Sequence, residues 1–109
     1  KIMTQYCIVY LGGDQPASPE EGQKHFAKYK EWLVSLGDAV VSPANPLKGT
    51  HTVSSDGTVG SASTTTMSGY SIIEADSMDA ALDIAKACPF LEMNGSLEVS
   101  ELVQMPSFG

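Results

Sequence analysis

Apolar positions along the chain fall into short continuous runs separated by capped amphipathic stretches. Gln5-Tyr6-Cys7-Ile8-Val9-Tyr10-Leu11 is rich in β-formers and stops at Gly12-Gly13, which predicts a strand. Ser18, Pro19 and Glu21 then form a helix-start signal: a cap, a proline at the first helical position and a capping-box glutamate. The helix is expected to run to about Leu36 and to stop at Gly37, with Phe26, Tyr29, Leu33 and Leu36 as its buried stripe and Trp32 beside it. Ala39-Val40-Val41 reads as a second strand. From Ser42 to Ser68 the large apolar residues nearly vanish. Ser55-Asp56-Gly57 there predicts a turn between two short strands, Thr50–Val53 and Thr58–Val59, followed by a long and partly mobile loop through Thr64-Thr65-Thr66. Gly69 to Ala75 is a further strand. Ser77 caps a second helix with Met78, Ala81, Leu82, Ala85 and Cys88 on its apolar side, and Pro89 ends it. Ser96 to Met105 is the last strand, with Leu97 and Val99 alternating against Glu98 and Ser100.

This order predicts one α+β domain over residues 1–109, a ferredoxin-like βαββαβ fold with an inserted hairpin and both helices on one face of an antiparallel sheet. A sheet with one wet face should alternate cleanly. Instead Tyr6–Leu11, Val40-Val41, Ile72-Ile73 and Leu102-Val103 are apolar on both parities. With no element left to cover the second face, a second copy of the chain is the expected lid, and the partner is the protein itself as a homodimer.

Charge narrows the partners. The net charge is −7, and six Lys and Arg residues among 109 cannot build a phosphate-binding surface, so nucleic acid is excluded. The same sign disfavours adsorption to anionic membranes. No apolar run approaches the length of a membrane span, and no signal-peptide pattern opens the sequence. Two cysteines without framework spacing read as reduced, mostly buried thiols, and the expected location is the cytoplasm.

The pieces Gly69-Tyr70-Ser71-Ile72-Ile73-Glu74-Ala75-Asp76, Ala85-Lys86-Ala87-Cys88-Pro89 and Gly95-Ser96-Leu97-Glu98-Val99 resemble, in order and spacing, the YCII-related proteins, and most closely their DGPF-domain branch. Tyr6 to Gly13, the first helix and Ala44-Asn45-Pro46 agree more loosely. The resemblance implies a dimeric α+β barrel in which two sheets face each other, and no settled activity. The namesake Asp-Gly-Pro-Phe motif should precede the Tyr70 strand, but Thr58 to Met67 holds neither the motif nor any charged residue. Some YCII-type relatives carry a suggested active site made of a His early in the first helix and an Asp before the proline that ends the second. His25 falls at the first position. Cys88 stands at the second, so the orienting carboxylate is missing unless Asp38 or Cys88 substitutes for it.

Candidate chemistry is therefore sparse. His25 has the pKa range for proton transfer at neutral pH, against the bland reading of a helix histidine between Lys24 and Lys28. Cys88 is either a nucleophile activated by a histidine or a packed helix-end thiol. Asn45, held by the rigid Pro46 turn, and Tyr29 and Tyr70 are candidate ligand-binding side chains. His51 and His25 give no metal-ligand spacing, Gly12-Gly13 is no phosphate loop, and neither metal nor cofactor is expected. Three functions compete. One is a binding protein for a small apolar or aromatic metabolite. Another is a cofactor-independent oxygenase- or isomerase-like enzyme with His25 as general base. The third is an interaction module using residues 42–68.

Overall fold

The structure, a computed structural model, describes residues 3–104. Strands β1 (Thr4–Gly12), β2 (Val40–Pro46), β5 (Met67–Ala75) and β6 (Gly95–Glu101) form one sheet in the order β2-β5-β1-β6, every neighbouring pair antiparallel. Between β2 and β5 the short strands β3 (Thr52–Val53) and β4 (Val59–Gly60) make a separate hairpin. Helices α1 (Pro19–Leu36) and α2 (Met78–Lys86) complete the ferredoxin-like α+β arrangement, two helices packed on a four-stranded antiparallel sheet.

Local chemistry sets the boundaries. Ser18 Oγ accepts from the Glu21 N–H at 3.2 Å, as the capping signal requires. Glu21 returns its carboxylate to the Ala17 N–H at 3.3 Å rather than to Ser18, so the box closes one residue early. Gly37, at φ +55°, ends α1 and donates to Val34 O. Ser77 Oγ caps α2 through the Ala80 N–H at 3.1 Å. The helix itself ends at Lys86, and Pro89 opens a 3₁₀ turn, Pro89–Met93, instead of merely stopping the chain.

Strand alternation divides the sheet. Tyr6, Ile8 and Tyr10 of β1 and Ser71, Ile73 and Ala75 of β5 point to the helices and are buried, with Leu97 and Val99 of β6 packed against them. Trp32 crosses this layer and donates its indole N–H to Ile84 O at 3.2 Å, tying α1 to α2. Cys7, Val9, Leu11 and Ile72 lie on the other parity and are half-buried, with Val9 between Tyr70 and Glu98 in register.

Several expectations are corrected here. Phe26 is 63% exposed while Trp32 is 6% exposed, so the buried stripe of α1 is rotated toward Trp32. On α2, Met78 and Leu82 face outward, and the small residues Ala81 and Ala85 make the contact, letting the helix approach the sheet closely. β2 continues to Pro46, well past Val41. It is an edge strand paired only with β5, and there the missing N–H groups of Pro43 and Pro46 leave no ladder partner stranded. β6 ends at Glu101, short of the expected strand end, and Leu102 and Val103 follow it, exposed on the single chain. Met105 lies outside the described residues.

The hairpin segment has its own bonds. Ser54 N–H bonds Thr58 O at 2.8 Å across the turn, with Gly57 at φ +90°. Asp56 takes the Thr58 N–H at 2.9 Å, and these hydrogen bonds hold its carboxyl below the usual range. Ser63 Oγ accepts from the N–H groups of both Thr65 and Thr66.

Candidate functional site

A cleft of about 350 Å³ opens between α1 and the β2-β5 edge of the sheet. Its walls are largely aromatic. Tyr10 rises from β1, Phe26 and Tyr29 hang from α1, and Phe90 comes from the 3₁₀ turn. Tyr10 meets Tyr29 and Phe90 edge to face, with ring centroids 5.9 and 5.3 Å apart.

Phe90 has its place because of two glycines. A Cβ on Gly13 would stand 2.7 Å from Phe90 Cζ, and one on Gly95 would stand 2.5 Å from Phe90 Cδ2. The flanking segments are locked by the Asp14 N–H on Met93 O at 2.7 Å and the Asn94 amide on the Asp14 carboxylate at 2.5 Å. Across the cleft, Gly69 lets β2 and β5 approach closely, since a Cβ there would meet Asn45 O at 3.0 Å.

The inner wall carries a chain of hydroxyls. Tyr29 and Tyr10 are joined at 2.7 Å, Tyr10 and Ser71 at 2.5 Å, and Ser71 Oγ donates to the Pro43 carbonyl. Burial pushes the Tyr10 phenol far above its ordinary range, so it stays protonated throughout neutral conditions. Asn45 donates its amide hydrogens to Ser42 Oγ at 2.9 Å and to Tyr70 O at 3.2 Å, which pins the side chain at the cleft edge.

His25, Tyr29, Asn45 and Tyr70, taken as candidates from the sequence, all line this cleft. Strand alternation places the Tyr70 ring on the opposite face from Ser71, so Tyr70 meets the cleft at its strand edge. His25 is half-buried and stands between the aromatic cleft and a second depression of about 380 Å³ bordered by Asp14, Lys24, Lys28 and Glu92. Lys28 and Glu92 are paired there at 3.1 Å. No carboxylate among the described residues orients the imidazole. Asp38 lies thirteen residues after His25, past the far end of α1, whose last residue Leu36 is already roughly 17 Å from His25 at the rise of a helix. Cys88 is 2% exposed and does not line the cleft, and burial raises its thiol to about 11. At neutral pH it is a packed thiol, not a thiolate.

Tyr10, Ser71 and Phe90 were not singled out from the sequence. Ser71 could have been found: it is the one hydroxyl on the parity of β5 that also holds Ile73 and Ala75, and a buried hydroxyl needs partners. Among the described residues no group of three or more His, Cys, Asp or Glu could hold a metal ion. No helix among the described residues is long and apolar enough to cross a membrane.

A ferredoxin-like sheet with two helices on one face, and an aromatic cleft where the first helix meets the sheet edge, define a small α+β protein with a ligand-sized site. The chain belongs to the family of YCII-related domains, whose profile matches residues 5–106. Among solved structures it is similar to 5-chloro-2-hydroxyhydroquinone dehydrochlorinase (TftG) from Burkholderia phenoliruptrix AC1100, in complex with 2,5-dihydroxybenzoquinone. The two share 18% identity at a TM-score of 0.59, over 93% of this chain and 95% of that one. A likeness at that identity speaks for the fold. No curated protein matches the chain significantly.

Proposed function

We propose that the protein is a single-domain homodimer that binds a small, mainly apolar or aromatic metabolite in the cleft between α1 and the β2-β5 edge. The observation that carries this reading is the cleft itself: about 350 Å³, walled by Tyr10, Phe26, Tyr29 and Phe90, with a hydroxyl chain at its inner end. That volume falls in the range of roughly 300–1,000 Å³ typical of small-molecule sites, and apolar walls with a few convergent polar groups are their usual composition. A planar six-membered ring is the natural occupant of such walls, and the similar dehydrochlorinase was solved with a ring of that kind. The half-buried apolar parity of β1 and β5, which neither helix covers, supports a second copy of the chain facing it. The two unpaired thiols, Cys7 and Cys88, fit a reducing compartment such as the cytoplasm.

A second reading has one observation in its favour. The His25 imidazole opens on the cleft with no partner among the described residues, leaving it able to take a proton from a bound ligand as a cofactor-independent general base. The experiment is NMR titration of the protein with monocyclic aromatics, repeated on His25→Ala. Binding is expected to shift the resonances of Tyr29, Phe90 and Gly69, with His25→Ala changing affinity only a few-fold. Shifts absent from these residues at millimolar probe would overturn the binding reading. Conversion of a probe by the wild type that His25→Ala abolishes would establish the enzymatic one.

A further inference from the structure

The hydrogen bonds around the cleft have a fixed direction. Pro43 O is a carbonyl and only accepts, so the single hydrogen of Ser71 Oγ points at it. The 2.5 Å contact between Ser71 Oγ and Tyr10 Oη needs a hydrogen between the two oxygens, and it must be that of Tyr10. With the Tyr10 hydrogen spent, the 2.7 Å contact to Tyr29 must contain the Tyr29 hydrogen. The second route open to Tyr29, toward Ser71 at 3.3 Å, also runs inward. The whole chain therefore drains toward Pro43, and the Tyr29 oxygen is left with only lone pairs for any further partner. The raised pKa of Tyr10 agrees with a chain in which every hydroxyl keeps its proton.

The other polar groups of the wall repeat this pattern independently. Asn45 is oriented by Tyr70 O, which can only accept, and its second amide hydrogen goes to Ser42 Oγ, leaving Oδ1 as its free atom. Ser68 Oγ, also on the cleft, donates to Tyr10 O at 3.3 Å. His25 can donate or accept according to its tautomer and imposes no sign.

We infer that the cleft selects its ligand by hydrogen-bond polarity: the group placed against Tyr29 and Asn45 has to be a donor, a phenolic hydroxyl or an aryl N–H, and not an ether, ketone or carboxylate oxygen. The inference rests on the reading that the cleft takes a ligand. An acceptor facing these oxygens loses the bond and also sets lone pair against lone pair, which a donor avoids.

The test compares phenol and aniline with anisole and acetophenone by NMR titration on the wild type, Ser71→Ala and Tyr29→Phe. The donors are expected to bind about three- to tenfold tighter than the acceptors on the wild type, the ratio that one net neutral hydrogen bond confers. Ser71→Ala removes the acceptor that fixes the Tyr10 hydrogen, so Tyr10 turns toward Tyr29, Tyr29 turns toward the cleft, and the preference shrinks or reverses. Should Ser71→Ala fail to fold, Tyr29→Phe still removes one of the two acceptors and is expected to narrow the preference, Asn45 Oδ1 being left to sustain the remainder. Equal or tighter binding of anisole and acetophenone to the wild type overturns the polarity while leaving the site intact. Failure of all four probes to move cleft resonances overturns the site, and the polarity with it.

Discussion

Gly95→Ala isolates the seating of Phe90. Gly95 has an ordinary strand backbone, so a methyl group there carries no conformational penalty. By itself, replacing Gly with Ala at such a position should stabilise by about 0.4–1 kcal/mol, through the unfolded chain. The added Cβ, however, would lie 2.5 Å from Phe90 Cδ2 and 2.8 Å from Cζ, and nearer still to Cε2. The ring cannot yield toward Gly13, where a Cβ-sized space is already filled by its other edge. It must rotate away from Tyr10. Overpacking of this kind costs about 1–3 kcal/mol, and the edge-to-face pair contributes about 0.5–1.5 kcal/mol more. The steric loss outweighs the backbone gain, and a net destabilisation of about 0.5–4 kcal/mol is expected. Urea unfolding should show a lowered midpoint at unchanged slope. In a Phe90→Ala background the obstacle is gone, and Gly95→Ala should become neutral or stabilising, which gives a large coupling in the double-mutant cycle. If Gly95→Ala matches or exceeds wild-type stability, or costs the same with and without the Phe90 ring, the packing argument is wrong.

Two further outcomes follow from burial. Cys88 is held near 11 in the folded protein against an ordinary 9.0. As pH rises past 9 the unfolded thiol ionises first, so the stability present below pH 9 is lost progressively toward 11. Tyr10, also raised, acts in the same direction at higher pH. Melting temperature should therefore fall between pH 9 and 11, less steeply in Cys88→Ala, and equal alkaline slopes for the two proteins would contradict this. The uncovered face of the sheet predicts a dimer in sedimentation at micromolar concentration and a monomer for Val9→Lys, which sets a charge between Tyr70 and Glu98. A monodisperse wild-type monomer would refute the proposed assembly.

The elements were legible because local signals agreed with one another: Ser18 and Ser77 as caps, Gly37 as a stop, and the apolar runs of β1 and β5. What sequence periodicity cannot give is the angle at which a helix meets a sheet. Phe26 and Trp32 both lie near the apolar side of α1, and only packing against α2 decides that Trp32 goes inside while Phe26 overhangs the cleft. Likewise Pro43 and Pro46 argue against a strand until β2 is known to be an edge. At the site, His25, Tyr29, Asn45 and Tyr70 stood out by residue type or resemblance, whereas Tyr10 and Ser71 looked like ordinary strand residues. Their meaning depends on a contact between positions 61 residues apart, which no local pattern encodes.

The cleft's shape and its polarity belong to one connected structure. Gly13 and Gly95 seat Phe90, Phe90 packs on Tyr10, and Tyr10 passes its hydrogen to Ser71, which anchors on β2 through Pro43. A disturbance at the glycine end thus reaches the hydroxyl chain without touching it. Gly95→Ala should weaken the preference for donors as well as the fold, because a Tyr10 ring released from Phe90 no longer holds its oxygen 2.5 Å from Ser71. An exposed substitution of equal thermodynamic cost, such as the loss of the Ser77 cap, removes stability at the start of α2 and leaves that oxygen where it is. Stability and ligand polarity therefore separate at Ser77 and move together at Gly95, and this difference marks Phe90 and Tyr10 as parts of the site rather than of the core alone.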